Sequence, residues 1–134
     1  MSVSIPAPIA EFLKQPLFAA IATTGDHGPQ LTWVWYEFDG QRFLVSTTDD
    51  RVKYRNVQRD PRVAISVNDP ANPYRYVAFN CKVTLTRDGA SDLIHQLAIR
   101  YQGQEKGDTA GQSMRGPKRV ILVLEPESMS TYNF

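Results

Sequence analysis

The chain has 134 residues, of which 42% are hydrophobic and 22% are charged, a composition typical of an ordinary soluble globular protein. We expect one domain spanning residues 1–134, because this length suffices for one sizeable core. The formal net charge of +1 argues against general nucleic-acid binding. The single cysteine, Cys81, excludes an internal disulfide and fits a reducing compartment, so a cytoplasmic protein is expected. No stretch reaches transmembrane length, and neither a signal peptide nor a membrane partner is expected.

The first part of the chain predicts one short helix and three strands. Ile9, Phe12 and Leu13 share one side of a helix over residues 8–14, which Pro16 ends. Apolar and β-branched runs then predict strands over residues 17–24, 30–38 and 42–47, separated by turns at 25–29 and at Asp39-Gly40.

A short basic helix is predicted next, with Asp49 or Asp50 as its N-cap and Pro61 at its end. Residues 51–62 hold five basic residues against one acid. Arg51 and Lys53 fall in the first turn, where the positive end of the helix dipole disfavours a cation. A bound anion would reverse that effect, because free N–H groups, dipole and cations would act together. The alternative is a solvated basic face with no ligand.

The remainder of the chain predicts further strands and one amphipathic helix. Residues 91–101 carry Leu93, Leu97 and Tyr101 at fourfold spacing, which is typical of a helix with one buried face. Residues 102–116 contain four glycines and are expected to form a mobile loop that covers a site. The other predicted segments are strands over 63–67, 74–86 and 120–124, a loop over 68–73, and an edge strand over 128–134 after a break at Pro126.

This pattern predicts a mainly β fold of six or seven strands with two or three helices. Strands dominate and several neighbours are joined by tight turns, which favours a closed or partly closed antiparallel barrel over a parallel sheet. A barrel of this size has little interior volume, so a large ligand would bind outside it or at a subunit interface.

The segment before Asp39 places aromatic residues on both faces of a strand. Period-two geometry puts Trp33 and Trp35 with Leu31 and Glu37 on one face, and residues 32, 34, 36 and 38 on the other. Both faces are apolar, so we expect both to be covered. One face suits the barrel core, and the other suits a helix, a second subunit or a flat aromatic ligand.

The chain offers no evident catalytic machinery of its own. His27 and His95 are isolated, Cys81 is expected to be an inert strand residue, and no metal-ligand spacing is present. Neither a dinucleotide glycine fingerprint nor a phosphate-binding Gly-Lys loop occurs. Any chemistry would therefore come from a bound organic cofactor. The hydroxyls of residues 46–48 are candidate ligand contacts, or else they form the turn and cap the helix.

Several motifs resemble the pyridoxamine 5'-phosphate oxidase-like split-barrel family, and in particular its small enzymes that use the deazaflavin coenzyme F420. The resemblance runs from Phe12 to the final strand. It is carried by Gly28-Pro29-Gln30-Leu31-Thr32, Trp35-Tyr36, Asp39-Gly40 and Lys53-x-x-Asn56-x-x-Arg59-Asp60-Pro61-Arg62-Val63. It implies a split β-barrel that forms a homodimer, with the cofactor in a groove between the subunits. Residues that recognise pyridoxamine phosphate are not evident, so a vitamin B6 enzyme is not expected.

The resemblance also implies roles for individual side chains. Arg51 and Lys53 would hold the cofactor phosphate. Residues along the ring edge would be Gln30, Thr32 and Trp33, and residues near the ring and ribityl chain would be Ser46, Thr47 and Thr48. Asn56 would stabilise the turn or helix rather than touch the ligand.

The function implied is an oxidoreductase that transfers a hydride between coenzyme F420 and a small organic substrate. One alternative keeps the fold and uses FMN. A second is a non-enzymatic flavin- or deazaflavin-binding protein, and a third is a structural dimer whose basic helix is merely solvated.

Overall fold

The computed structural model describes residues 3–134, whose seven strands form one sheet in which every pair is antiparallel. In chain order the elements are α1 (Ala7–Leu13), β1 (Ala19–Gly25), β2 (Gly28–Val34), β3 (Glu37–Phe38), β4 (Phe43–Thr48), α2 (Val52–Arg59), β5 (Arg62–Asp69), β6 (Asn72–Thr86), α3 (Ala90–Gln102), α4 (Gln104–Met114) and β7 (Arg119–Tyr132).

The order of the strands explains why the sheet curls. It is β2-β1-β5-β6-β7-β4-β3, so β2 and β3 are the two edges of the sheet. Only Trp35 and Tyr36 join these edges, and two residues cannot span a flat seven-stranded sheet. The sheet therefore rolls into the expected split β-barrel.

Aromatic side chains fill the barrel interior. Tyr36, Phe43 and Phe79 are fully buried, and the Phe43 ring lies 5.5 Å from that of Tyr36 and 5.3 Å from that of Phe79. The Tyr36 hydroxyl donates a hydrogen bond of 2.9 Å to the Leu13 carbonyl, which satisfies the one polar atom of this buried ring. Burial raises the pKa of Tyr36, so the hydroxyl stays protonated and remains a donor.

A second apolar cluster lies outside the barrel, where α3 packs against β4 and β7. Its buried members are Ala90, Leu93, Leu97 and Ile121, with Trp35, Leu44, Tyr101 and Val123 packed around them. The fourfold spacing of Leu93, Leu97 and Tyr101 therefore marks the face of α3 that covers the sheet. The predicted helix is confirmed and is slightly longer, Ala90–Gln102.

The expectation of a mobile loop over residues 102–116 is wrong, because most of that segment is the helix α4. Its glycines are needed for close packing rather than for flexibility. A Cβ on Gly107 would lie 2.4 Å from the carbonyl oxygen of Ala98 in α3, and one on Gly111 would lie 2.5 Å from the His95 ring. Only glycine lets the two helices approach this closely.

Three predicted strand boundaries also need correction. The strand over 30–38 is interrupted at Trp35 and Tyr36, where the backbone N–H of Tyr36 donates 3.1 Å to the Tyr101 hydroxyl instead of to a strand. The loop over 68–73 is a tight turn, because β5 and β6 extend into it. Pro126 does not end β7, because the strand carries a bulge beside it: Asn80 and Cys81 of β6 pair with Ser128 and Pro126, which leaves Glu127 of β7 as the extra residue.

The predicted alternation along residues 31–38 is confirmed on the inner face. Val34, Tyr36 and Phe38 are all buried in the core. On the outer face, α3 covers Trp35, whose ring stacks on Tyr101 at 5.2 Å and 10°. Trp33 is 70% exposed, so the chain alone does not cover this part of the face.

Candidate functional site

A cavity of about 410 Å³ lies where the barrel splits, and we call it the cationic cavity. β2, β4, the start of α2 and the outer helix α3 all contribute to its walls. The lining residues are Phe18, Trp33, Val34, Trp35, Ser46, Arg51, Lys53, Ile94 and Leu97. One end therefore carries two cations and the other carries aromatic and aliphatic side chains.

Lys53 is the most unusual residue of this cavity. It is only 5% exposed, and its ammonium group makes no hydrogen bond or ion pair within residues 3–134. Burial, together with the nearby charge of Arg51, lowers the pKa of Lys53 below its usual value. A buried lysine normally has an anionic partner, because an unpaired buried charge is costly. This lysine is therefore poised to bind an anion.

The N-terminus of α2 strengthens the same end of the cavity. Neither predicted aspartate caps this helix: the N-cap is Arg51, and no side chain caps it. Asp49 instead pairs with Arg87 at 3.0 Å. Asp50 accepts a 2.6 Å hydrogen bond from Thr48, which together with Lys118 lowers its pKa. Both acids bind side chains outside the helix, so the first N–H groups of α2 lack the capping acceptor that was expected.

Arg119 adds a third cation, which the sequence analysis missed. Its guanidinium donates to the Met114 carbonyl at 2.7 Å and to the Ser46 hydroxyl at 3.3 Å. Burial and the charge of Arg51 lower the pKa of Arg119, as they do for Lys53. Arg119 lies opposite Thr48 in the β4–β7 pair, 71 residues away in the chain. Only the strand register brings it to the site.

The structure brings together half of the eight residues expected to bind the cofactor. Lining the cationic cavity are Trp33, Ser46, Arg51 and Lys53. The other four have different surroundings. Gln30 accepts a hydrogen bond from Thr23, and Thr48 donates one to Asp50. Thr32 has a buried hydroxyl with no hydrogen-bond partner among the described residues, and Thr47 is buried, with 4% of its surface exposed.

Asn56 holds α2 against the barrel, as the resemblance implied. It is 2% exposed, and its amide nitrogen donates 3.0 Å to the Thr23 hydroxyl of β1. Arg59 donates 3.3 Å to the amide oxygen of Asn56 and also forms an ion pair with Asp26. This network holds the helix that carries Lys53 against the barrel. Asn56 therefore supports the cationic cavity through hydrogen bonds within the protein.

Residues 3–134 contain no group of three or more His, Cys, Asp or Glu side chains arranged to bind a metal ion. Burial, with the charges of Glu127 and Glu125, raises the pKa of Cys81 to about 12. A thiol with this pKa is a poor nucleophile. None of the helices described is both long and apolar enough to span a membrane.

A sequence model of the family described as pyridoxamine 5'-phosphate oxidase matches residues 5–133. The chain belongs to this family. Among solved structures it resembles an F420 reductase, with 32% identity, a TM-score of 0.77, and coverage of 94% of this chain and 98% of the other. A conserved hypothetical protein from Mycobacterium tuberculosis is 26% identical, with a TM-score of 0.77 and coverage of 98% and 86%.

Members of this fold also include proteins with other named roles. The heme storage protein HutZ from Vibrio cholerae is 19% identical, with a TM-score of 0.69 and coverage of 98% of this chain and 97% of the other. At that identity the likeness concerns the fold alone. Fold membership by itself therefore does not identify the ligand. The ligand has to be inferred from the residues that line the cationic cavity.

Proposed function

We propose that this chain is an oxidoreductase that binds coenzyme F420 in the cationic cavity and transfers a hydride between it and a small organic substrate. The observation that carries the proposal is Lys53, buried, unpartnered and directed into a cavity that also has tryptophan walls. Such a cavity favours a ligand that carries both an anionic group and a flat ring. The F420 reductase that resembles the chain over 94% of its length supports the same assignment.

The cations would hold the phosphate of the cofactor. Lys53 and Arg51 line the cavity, and Arg119 reaches its edge through Ser46. Arg51 repels both Lys53 and Arg119, and its charge therefore lowers the pKa of each. A phosphate between them would replace this repulsion with charge-assisted hydrogen bonds.

The aromatic wall would orient the ring system. One face of Trp35 is already occupied by the stacked Tyr101 ring, which fixes the indole in place. The cofactor would supply the hydride-carrying ring, and the chain would supply orientation and exclusion of water. Ile94 and Leu97 of α3 form the apolar wall that performs this exclusion.

FMN is the main competing ligand, because it also joins one phosphate to a flat tricyclic ring. The match of residues 5–133 to a family described by an oxidase supports flavin binding in general. A non-enzymatic binding protein would use the same cavity and show no turnover. The three possibilities differ in affinity for the two cofactors and in substrate-dependent turnover.

The decisive experiment is a side-by-side titration of the purified protein with coenzyme F420 and with FMN, followed by tryptophan fluorescence. Lys53→Met keeps an unbranched side chain only one atom shorter than that of lysine and removes its charge. The lost charge-assisted hydrogen bond is worth about 1.5–3 kcal/mol, so we expect the Kd for F420 to rise about 10- to 150-fold. Arg55→Ala is the matched control, because Arg55 is a cation on the exposed side of the same helix.

The outcomes separate the candidates. Equal F420 affinity in the wild type and in Lys53→Met would refute the role of Lys53. Tighter binding of FMN than of F420 would favour the flavin alternative, and binding of neither would refute the cofactor assignment. Tight F420 binding without oxidation of the reduced coenzyme by any acceptor in a substrate screen would support the non-enzymatic protein.

A homodimer is part of the same proposal. Leu31 is 68% exposed and Trp33 is 70% exposed beside the cavity, so a second copy could bury both and complete the cofactor groove. Light scattering that gives the mass of a single 15.1 kDa chain at working concentration would contradict it. The ligand contacts expected of Gln30, Thr32, Thr47 and Thr48 stay predictions.

A further inference from the structure

A second cavity, of about 460 Å³, shares a wall with the cationic cavity, and we call it the apolar cavity. Phe18 and Trp33 line both. The other lining residues of the apolar cavity are Pro16, Leu17, Asn68 and Pro70. The two cavities therefore adjoin at these two aromatic side chains.

One wall of the apolar cavity is irregular backbone that side chains hold in place. The Tyr101 hydroxyl donates 2.6 Å to the carbonyl of Leu17, and the Tyr101 ring lies 5.7 Å from that of Phe18. The Tyr36 hydroxyl binds the carbonyls of Leu13 at 2.9 Å and Gln15 at 3.4 Å. The segment between α1 and β1 is thus anchored at several points, so the cavity is preformed rather than a gap beside a loose loop.

The chemistry of the lining differs from that of the cationic cavity. No charged side chain lines it, and Asn68 supplies its only polar side chain. Within residues 3–134 the amide of Asn68 makes no hydrogen bond, although the neighbouring Asp69 pairs with Arg75 at 3.4 Å. A ligand here would gain apolar contacts and one or two hydrogen bonds to an amide. An ionised ligand would gain no counter-ion from this lining, and its contacts with the apolar residues would remove part of its water. Most of the lining residues are exposed, Phe18 at 57% and Trp33 at 70%, so the cavity is an open surface pocket.

We propose that the apolar cavity binds the organic substrate of the oxidoreductase, and that this substrate is neutral, largely aromatic and able to hydrogen-bond to the Asn68 amide. The inference rests on the proposed function, because it takes the cationic cavity as the cofactor site. Asn68 is then a specificity-determining residue. The charge filter follows from the lining of the two adjoining cavities. Cations of the cationic cavity attract the anionic cofactor, and the uncharged lining of the apolar cavity receives the substrate beside it.

The test uses two probes with the same ring and different charge, 2-naphthamide and 2-naphthoate. Each is titrated without cofactor into the purified protein, and isothermal titration calorimetry measures its Kd. We expect 2-naphthamide to bind about tenfold or more tightly than 2-naphthoate. Asn68→Ala should weaken 2-naphthamide about three- to tenfold, the usual effect of one lost neutral hydrogen bond. Asn68 is exposed, so the variant should fold normally.

Lys53→Met distinguishes this proposal from the cofactor assignment, because Lys53 lines only the cationic cavity. It should leave the affinity for 2-naphthamide unchanged while weakening F420. Tighter binding of 2-naphthoate, or loss of 2-naphthamide binding in Lys53→Met, would overturn the proposal, because the probe would then occupy the cationic cavity. Absence of 2-naphthamide binding, including the case in which a second copy fills the cavity, would overturn it too. If F420 fails to bind and 2-naphthamide binds as expected, only the cofactor assignment is lost.

Discussion

Replacing Gly107 by alanine tests whether α4 is held by close helix packing. An added Cβ would lie 2.4 Å from the Ala98 oxygen and the Ile99 Cα, and 2.6 Å from the Ile99 nitrogen. All three are backbone atoms of α3, which cannot rotate away as a side chain can. The two helices would have to separate by about 1 Å to restore ordinary contacts.

The expected cost follows from two opposing effects. Alanine in a helix interior is favoured over glycine by about 1 kcal/mol. Overpacking against rigid atoms costs about 2–3 kcal/mol, near the upper part of its usual range. Gly107→Ala should therefore lower the free energy of unfolding by about 1–2 kcal/mol, which corresponds to a Tm about 3–10 °C lower for a chain of this size.

Thermal and urea unfolding measure this effect directly. Gln112→Ala is the control, because it raises helix propensity at an exposed position of the same helix. We expect its Tm to equal or exceed that of the wild type. If Gly107→Ala proves as stable as Gln112→Ala, the helices are not in the contact described, and the account of the glycines in α4 is refuted.

Three further predictions concern the site and its support. The pKa of Lys53 lies below the usual 10.5, and the affinity for F420 should fall as pH rises through it, because the deprotonated amine no longer attracts phosphate. A series of Kd values measured at increasing pH should show this fall in the wild type and none in Lys53→Met. Asn56→Ala leaves a hydrogen bond of Thr23 unmade, and urea unfolding should show a loss of about 1–3 kcal/mol, whereas an unchanged midpoint would mean that the network is dispensable. Burial raises the pKa of Cys81 from 9.0 to about 12, which lowers the thiolate fraction at pH 8 roughly a thousandfold. A thiol reagent should therefore label Cys81 rapidly only after the protein unfolds. Rapid labelling of the folded protein would contradict the burial of Cys81.

Local patterns in the sequence were sufficient for most secondary structure and for part of the site. Tight turns and alternating residues predicted six or seven antiparallel strands, and the structure has seven, because these signals depend only on near neighbours. The basic first turn predicted Arg51 and Lys53 at a helix N-terminus, and both line the cationic cavity. Hydrophobic spacing predicted which face of α3 is buried.

Glycine content was misleading, because its meaning depends on what lies opposite. Glycines such as Gly107 and Gly111 predict a mobile loop, yet in the structure they allow α4 to pack closely on α3. Propensity disfavours glycine in a helix by only about 1 kcal/mol, and tertiary contacts exceed that easily. Pro126 was also misleading, because a bulge at the adjacent Glu127 lets β7 continue its pairing with β6 past the proline.

The strands, the basic helix and its excess of cations could be predicted from the sequence alone, since each is encoded in residues a few positions apart. Only the tertiary structure decided which cations meet, because Arg119 reaches Ser46 through a strand register that joins residues 73 positions apart. It also decided that Asp49 and Asp50 bind other side chains, and that a cavity lined by cations adjoins an uncharged one at Phe18 and Trp33. Long-range pairing is chosen by the packing of the whole barrel, and no local pattern carries that information.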